Sequence, residues 1–166
     1  TIAKRWGGEA LEGLYFDSIV FCEKSLVIYE CEGEQLDSLR KVLPSLEPED
    51  SGYQKGYPYY LDYEQLLEEP EGPILVSSYQ ENGDWYLVYS SKRFFTERVD
   101  IDLEAIDDKF RDQYEEYQEL LAIRKHYRQF FDVIRFPKVG NRIEVRIDSP
   151  GHMPKKEIES ATNQLD

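Results

Sequence analysis

The chain has 166 residues, 40% of them hydrophobic, which suffices for one domain with a buried core, since about 150 residues bury roughly two thirds of their surface. Its 34 acidic and 20 basic residues leave a net charge of −14, which sets it against nucleic acid and anionic membrane surfaces and points to a cationic partner. No apolar run approaches the roughly 18 residues that cross a bilayer, the amino end lacks the pattern of a signal peptide, and the two cysteines, Cys22 and Cys31, read as free thiols of a reducing, cytoplasmic compartment.

The first element involves both ends. Near the carboxyl end, Gly151-His152-Met153 looks like the remnant of an expression tag followed by a start codon, so residues 1–150 read as a single α+β domain and 151–166 as a tag-like stretch plus a helical segment. Placed before residue 1, that segment runs Ile158, Ala161, Leu165, Ile2, Ala3 and Trp6 at steps of three and four, one amphipathic helix cut in two by the numbering. The plainer alternative is a charged, frayed tail.

Next, "LYFDSIVFC" and "SLVIYEC" are β-branched and aromatic runs parted by Glu23-Lys24, and they predict a hairpin from Leu14 to Cys31. A hairpin turning near Lys24 does not set the two cysteines opposite each other. Leu36, Leu39 and Leu43 in "GEQLDSLRKVLPSL" predict a helix that Pro44 closes. "ILVSSY" and "WYLVYSS" flank "QENGD", where Asn82-Gly83 supplies the positive φ angles of a tight hairpin turn.

Beyond Asp100 and Asp102, which are placed to cap a helix, the apolar residues keep a heptad up to Pro137. Leu103, Phe110, Tyr117 and Phe131 form one column; Ile106, Leu120, Tyr127 and Ile134 form the other, and Gln113 and Arg124 interrupt them. This predicts one helix of about 33 residues, roughly 50 Å long. It either covers the protein's own sheet or forms a coiled-coil dimer. Finally "VGNRIEVRID" alternates Ile143, Val145 and Ile147 with charges, as an edge strand does. The expected architecture is therefore α+β: an antiparallel sheet of about five strands (two hairpins plus an edge strand) covered by the long helix and the terminal helix.

Charge is sorted along the chain. Residues 30–72 carry twelve acidic against three basic residues, a net of −9, whereas 122–147 carry seven basic against two acidic, a net of +5. Within the acidic part, Tyr53, Tyr57, Tyr59, Tyr60 and Tyr63 stand among Gly, Pro and the carboxylates of Glu64, Glu68, Glu69 and Glu71. Tyrosine offers a large contact area at small entropic cost, so these nine residues form the candidate partner-binding face. An ordered loop whose tyrosines only cover the core is the alternative.

Phosphate-loop, dinucleotide, zinc-protease, nucleophile-elbow and C-x-x-C motifs are absent from the sequence. Of the two histidines, His152 belongs to the tag-like stretch and His126 lies beside Lys125 and Arg128, a poor setting for a general base. Asp100-x-Asp102, or Glu68, Glu69 and Glu71, offer oxygens for a divalent ion, but capping and solvation account for the same residues. Thr1 would be an N-terminal nucleophile only in a chain that truly began there.

These observations favour a small acidic protein that binds another protein with a basic surface, as an inhibitor, immunity-type protein or chaperone-like adaptor, without catalysis, cofactor, metal or membrane. Two alternatives are a metal-dependent hydrolase or nuclease with a cryptic carboxylate site, and a homodimeric structural module held by the long helix.

Overall fold

The computed structural model describes residues 8–100, 121–149 and 155–165. A helix, α1 (Gly8–Phe21), leads into strand β1 (Lys24–Glu30), followed by α2 (Gly33–Val42) with a 3-10 turn at Leu43–Ser45, and by two short helices, α3 (Gly52–Gly56) and α4 (Tyr63–Glu68). Strands β2 (Ile74–Glu81), β3 (Asp84–Asp100), β4 (Leu121–Phe136) and β5 (Arg142–Asp148) follow, and α5 (Lys155–Asn163) closes the described chain. The five strands form one antiparallel sheet in the order β1-β5-β4-β3-β2.

The turn between β2 and β3 follows from its two residues. Asn82 has φ 52° and Gly83 φ 91°, both in the left-handed region that Asn tolerates and Gly enters without a Cβ penalty. A Cβ on Gly83 would also meet the flexible Lys138 side chain. Gly83→Val is expected to cost about 1–3 kcal/mol, the usual range for a residue forced into such a conformation, read as a lower midpoint in thermal unfolding; an unchanged midpoint would show that the turn relaxes to another type.

Two cores lie on opposite faces of the sheet. On the first, Ile19 and Val20 of α1, Tyr53 of α3 and Leu66 of α4 pack on Val76, Tyr86, Val88, Phe131 and Val133. On the second, Leu36 and Leu43 pack with Leu75, Leu87, Ile134, Phe136, Val145 and Ile147, and α5 adds the buried Ala161, with Ile158 and Leu165 against the same cluster. Side-chain alternation along β4 explains the division: Phe131 and Val133 point one way, Ile134 and Phe136 the other. Each large apolar side chain so buried contributes roughly 1.5–3 kcal/mol.

Three sequence expectations are corrected here. "LYFDSIVFC" is not the first strand of a hairpin; it lies in α1, and only "SLVIYEC" becomes a strand. The helix lacks one apolar stripe, because Ile19 and Val20 are buried while Leu14 and Phe21, on other sides, are exposed. No long helix covers the sheet among the described residues, where the longest helix, α1, has 14 residues. The second half of the expected long helix is β4, paired residue by residue with β3 from Asp100↔Leu121 to Trp85↔Phe136; its first part, with Leu103, Ile106, Phe110, Gln113, Tyr117 and Leu120, lies outside the described residues. β5 is not an edge strand, since it pairs with both β1 and β4. Its charged face is used internally: Glu144, 4% exposed, accepts from Arg135 (2.9 Å) and Arg146 (2.9 Å), and Arg135 also reaches Asp84. Burial alone would raise the Glu144 carboxyl, but the hydrogen bonds from Arg135 and Arg146 outweigh it and hold the pKa below the usual range.

The helix expected in 151–166 is present as α5, whereas residues 1–7, to which it was to be joined, lie outside the described residues. The α2 helix and the β2–β3 hairpin stand where the sequence put them. No described helix is long and apolar enough to cross a membrane.

Candidate binding face

The tyrosine-rich segment runs through α3, a short connection and α4, and its local order has local causes. The Ser51 hydroxyl accepts from the Gln54 N–H (3.1 Å) and the Asp62 carboxylate from the Gln65 N–H (2.9 Å), so each short helix has its N-cap. The Glu69 carboxylate accepts from the Gly52 N–H (3.1 Å), tying the start of α3 to the end of α4.

Three polar side chains of β3 and β4 then fasten the segment to the first face of the sheet. Gln129, buried, accepts from the Leu61 N–H (2.7 Å) while its amide donates to the Ser90 hydroxyl (2.9 Å). Lys92, also buried, donates to the Leu67 carbonyl (2.6 Å), its ammonium 5.1 Å from the Tyr127 ring centroid. The Tyr127 hydroxyl donates to Glu71 (2.7 Å), and that bond raises its pKa above the ordinary phenol value. The buried Gln129 and Lys92 groups fix the segment because each would be costly to leave unpaired.

The sequence-predicted residues divide by position. Tyr53 is fully buried, its hydroxyl donating to the Pro70 carbonyl (2.9 Å), so it is a core residue with no surface to offer a partner. Tyr57 is half-buried against Phe131 and Phe16, and burial pushes its phenol up to about 12, so it stays protonated at neutral pH. Tyr59, Tyr60 and Tyr63 are about half exposed, as is Leu67. Tyr59 leans on Tyr15 (5.2 Å between centroids) and Tyr60 on Phe131 (5.1 Å), so both rings are seated on one side and bare on the other. Glu64 and Glu68 are exposed, while Glu69 and Glu71 are engaged within the chain as described. A cavity of about 280 Å³ runs between this segment and β4, lined by Tyr60, Leu61, Tyr63, Leu66, Tyr127, Arg128 and Gln129.

Sequence reasoning missed Lys92, Tyr127 and Gln129 as residues of this face. Tyr127 and Gln129 were hidden because β4 reads as helix, and only the pairing of β4 with β3 sets them beside Lys92 under the tyrosines.

A second cluster of ionisable groups sits where β4 and β5 part. Their pairing covers Val133–Arg135 with Glu144–Arg146; at the next register position side chains replace the ladder. The Phe131 N–H donates to the Asp148 carboxylate (3.3 Å), the Asp148 N–H to Asp132 (2.9 Å), and the Lys24 ammonium to the Phe131 carbonyl (2.5 Å), lying 3.6 Å from Asp148. Arg93 pairs with Asp132 and lies 4.5 Å over the Phe130 ring. Burial pushes the Asp132 carboxyl up and the Lys24 ammonium down, while the opposite charges pull each back. With Asp132 only 2% exposed, the cluster's bonds are spent on holding two strands. Among the described residues no group of three or more His, Cys, Asp and Glu side chains is placed to hold a metal ion, and Cys22 and Cys31 are free thiols. No protein-family model, no curated protein and no solved structure matches the chain.

Proposed function

We propose that this is a protein-binding protein, an inhibitor, immunity-type protein or chaperone-like adaptor, acting through the face formed by Tyr59, Tyr60, Tyr63 and Leu67 with the carboxylates of Glu64 and Glu68. One observation carries the reading: four large apolar or aromatic side chains stand half exposed within nine residues, on a segment fastened from beneath. Aromatic side chains already fixed on one side lose little entropy on binding, which is what interface anchors require. The surrounding charge selects a partner with a basic surface. A cytoplasmic location belongs to the same reading, on the strength of the free thiols and the acidic surface.

Pull-down from the native host with mass spectrometry supplies the partner, and surface plasmon resonance then tests the face. Tyr59→Ala or Tyr60→Ala is expected to raise the dissociation rate by about one to two powers of ten, as for an anchor worth about 2 kcal/mol. Glu64→Gln with Glu68→Gln should instead slow association and flatten its salt dependence, since steering works over a Debye length of about 30 Å at 0.01 M salt and about 8 Å at 0.15 M. Glu69 and Glu71 are left intact because each holds an internal bond. Binding unchanged by both sets of variants, or mapped to a face that excludes Tyr59, Tyr60 and Tyr63, would overturn the proposal.

A further inference from the structure

The two outer strands of the sheet differ in how their edges are treated. β2 carries an irregularity between Leu75 and Ser77, and the Glu49 N–H already donates to the Leu75 carbonyl (2.9 Å). β1 has no Pro, no Gly and an unbroken seven-residue register with β5. Natural proteins blunt or cover exposed strand edges because an open one is a template for another strand.

The direction of the backbone groups on β1 that no described residue meets follows from the ends of its ladder. The Cys31 N–H donates to the Asn141 carbonyl (2.9 Å) and the Ser149 N–H to the Glu23 carbonyl (3.4 Å), so odd-numbered residues of this stretch face β5. Alternation then turns the N–H and C=O of Lys24, Leu26, Ile28 and Glu30 outward. On the first face the side chains of Leu26 and Ile28 are 54% and 49% exposed. Phe21, 55% exposed, adjoins them, its ring under Arg146, which is the register partner of Leu26.

We propose that β1 is a self-association edge: two copies pair their β1 strands antiparallel about a two-fold axis at Val27, doubling the five-stranded sheet. The sequence of β1, Lys-Ser-Leu-Val-Ile-Tyr-Glu, is complementary to itself in that register and in no neighbouring one. Centring on Val27 sets Leu26 opposite Ile28 and Lys24 opposite Glu30, and every outward N–H and C=O meets an outward partner. Centring on Leu26 would set Lys24 against Ile28; centring on Ile28 would set Leu26 against Glu30 and Lys24 against Glu32. The Lys24 ammonium stays with Asp148 and Phe131, so the register is chosen by the Leu26–Ile28 pairs and not by a new ion pair. Leu26 and Ile28 of both copies then form one apolar stripe of cross-strand pairs. A contact of this length belongs to the small end of interface sizes, so a concentration-dependent equilibrium is expected. Because each copy carries −14, added salt should strengthen it, the reverse of the salt response expected for a basic partner.

Sedimentation velocity on the full chain, combined with disulfide trapping in a Cys22→Ser, Cys31→Ser background, tests this. In the Val27-centred register two copies of Val27 form a non-hydrogen-bonded pair with Cα atoms about 4.5 Å apart, inside the range a disulfide accepts. Val27→Cys is therefore expected to give a covalent dimer on oxidation at least tenfold faster than Leu26→Cys, whose copies lie on a diagonal about 7–8 Å apart. Leu26→Lys with Ile28→Lys, at two half-exposed positions, should remove the dimer with an unchanged circular dichroism spectrum. A chain that sediments as a monomer at all concentrations and salts, or a dimer in which Val27→Cys is trapped no faster than Leu26→Cys, would overturn the proposal.

Discussion

Replacing Phe131 with alanine is expected to lower the unfolding free energy by about 3–5 kcal/mol, the range for deleting a buried phenylalanine and leaving a cavity. Phe131 is fully buried at the centre of the first face, and its ring meets Tyr57 at 5.9 Å and Tyr60 at 5.1 Å between centroids. The cavity would be hard to close, because Val133 beside it in β4 is held in the sheet and Tyr53, across the core, is anchored by its bond to Pro70. Phe94, in β3 on the same face of the sheet but 53% exposed, provides the comparison: its replacement by alanine should cost about 0.5 kcal/mol or less. Equilibrium urea unfolding of the two variants measures both. A loss below about 1 kcal/mol for Phe131→Ala would mean that α1 and the tyrosine segment do not close over β4 as described. The same variant should weaken any interaction made through Tyr60, since the ring loses the surface on which it is seated.

Asp132→Ala should be as damaging for a different reason. The substitution takes the carboxylate partner from the Arg93 guanidinium, whose side chain is only 12% exposed, leaving it the Ser91 hydroxyl (3.3 Å) and the Asp148 carbonyl (3.4 Å), and takes the acceptor from the Asp148 N–H. Removing one partner of a buried ion pair costs about 3–5 kcal/mol, most of it the penalty on the charge left behind. Removing both partners is much milder, so the double variant Arg93→Met, Asp132→Leu should recover a large part of the loss. Urea unfolding of the two single variants and the double variant gives the coupling directly. Additive losses, with no recovery in the double variant, would show that the pair carries no special role in closing the gap between β4 and β5.

How much of this was legible in advance depended on where each element's specification lies. The β2–β3 hairpin was readable because Asn82-Gly83 states its turn chemistry outright and the flanking runs are strand-forming. The α2 helix was readable from Leu36 and Leu43, which lie on one stripe and do become buried. The strand at Arg142–Asp148 was readable from its alternation, but its place inside the sheet was not, because Glu144 and Arg146 look the same in sequence whether they face water or each other. In the candidate face, the exposed Tyr59, Tyr60 and Tyr63 were visible in the sequence, while the burial of Tyr53 and the internal bonds of Glu69 and Glu71 were not.

The sequence by itself determined the α+β class, the acidic composition, one hairpin, the strands β1 and β5, the helices α2 and α5 and the tyrosine segment, all of which rest on composition or on residues near in the chain. Only the tertiary structure decided α1 and β4. "LYFDSIVF" is apolar on several sides, so neither a helical nor a strand period stands out. The second half of "LAIRKHYRQFFDVIRF", from Gln129 on, is covered on both faces of the sheet, with Phe130, Phe131, Val133, Ile134 and Phe136 all buried, and burial on both sides erases the period-two pattern that marks a strand. What remained in that stretch matched a heptad by spacing alone. Its state is settled by β3 and β5, whose backbone groups pair with it from distant parts of the chain, and no window of neighbouring residues contains that information.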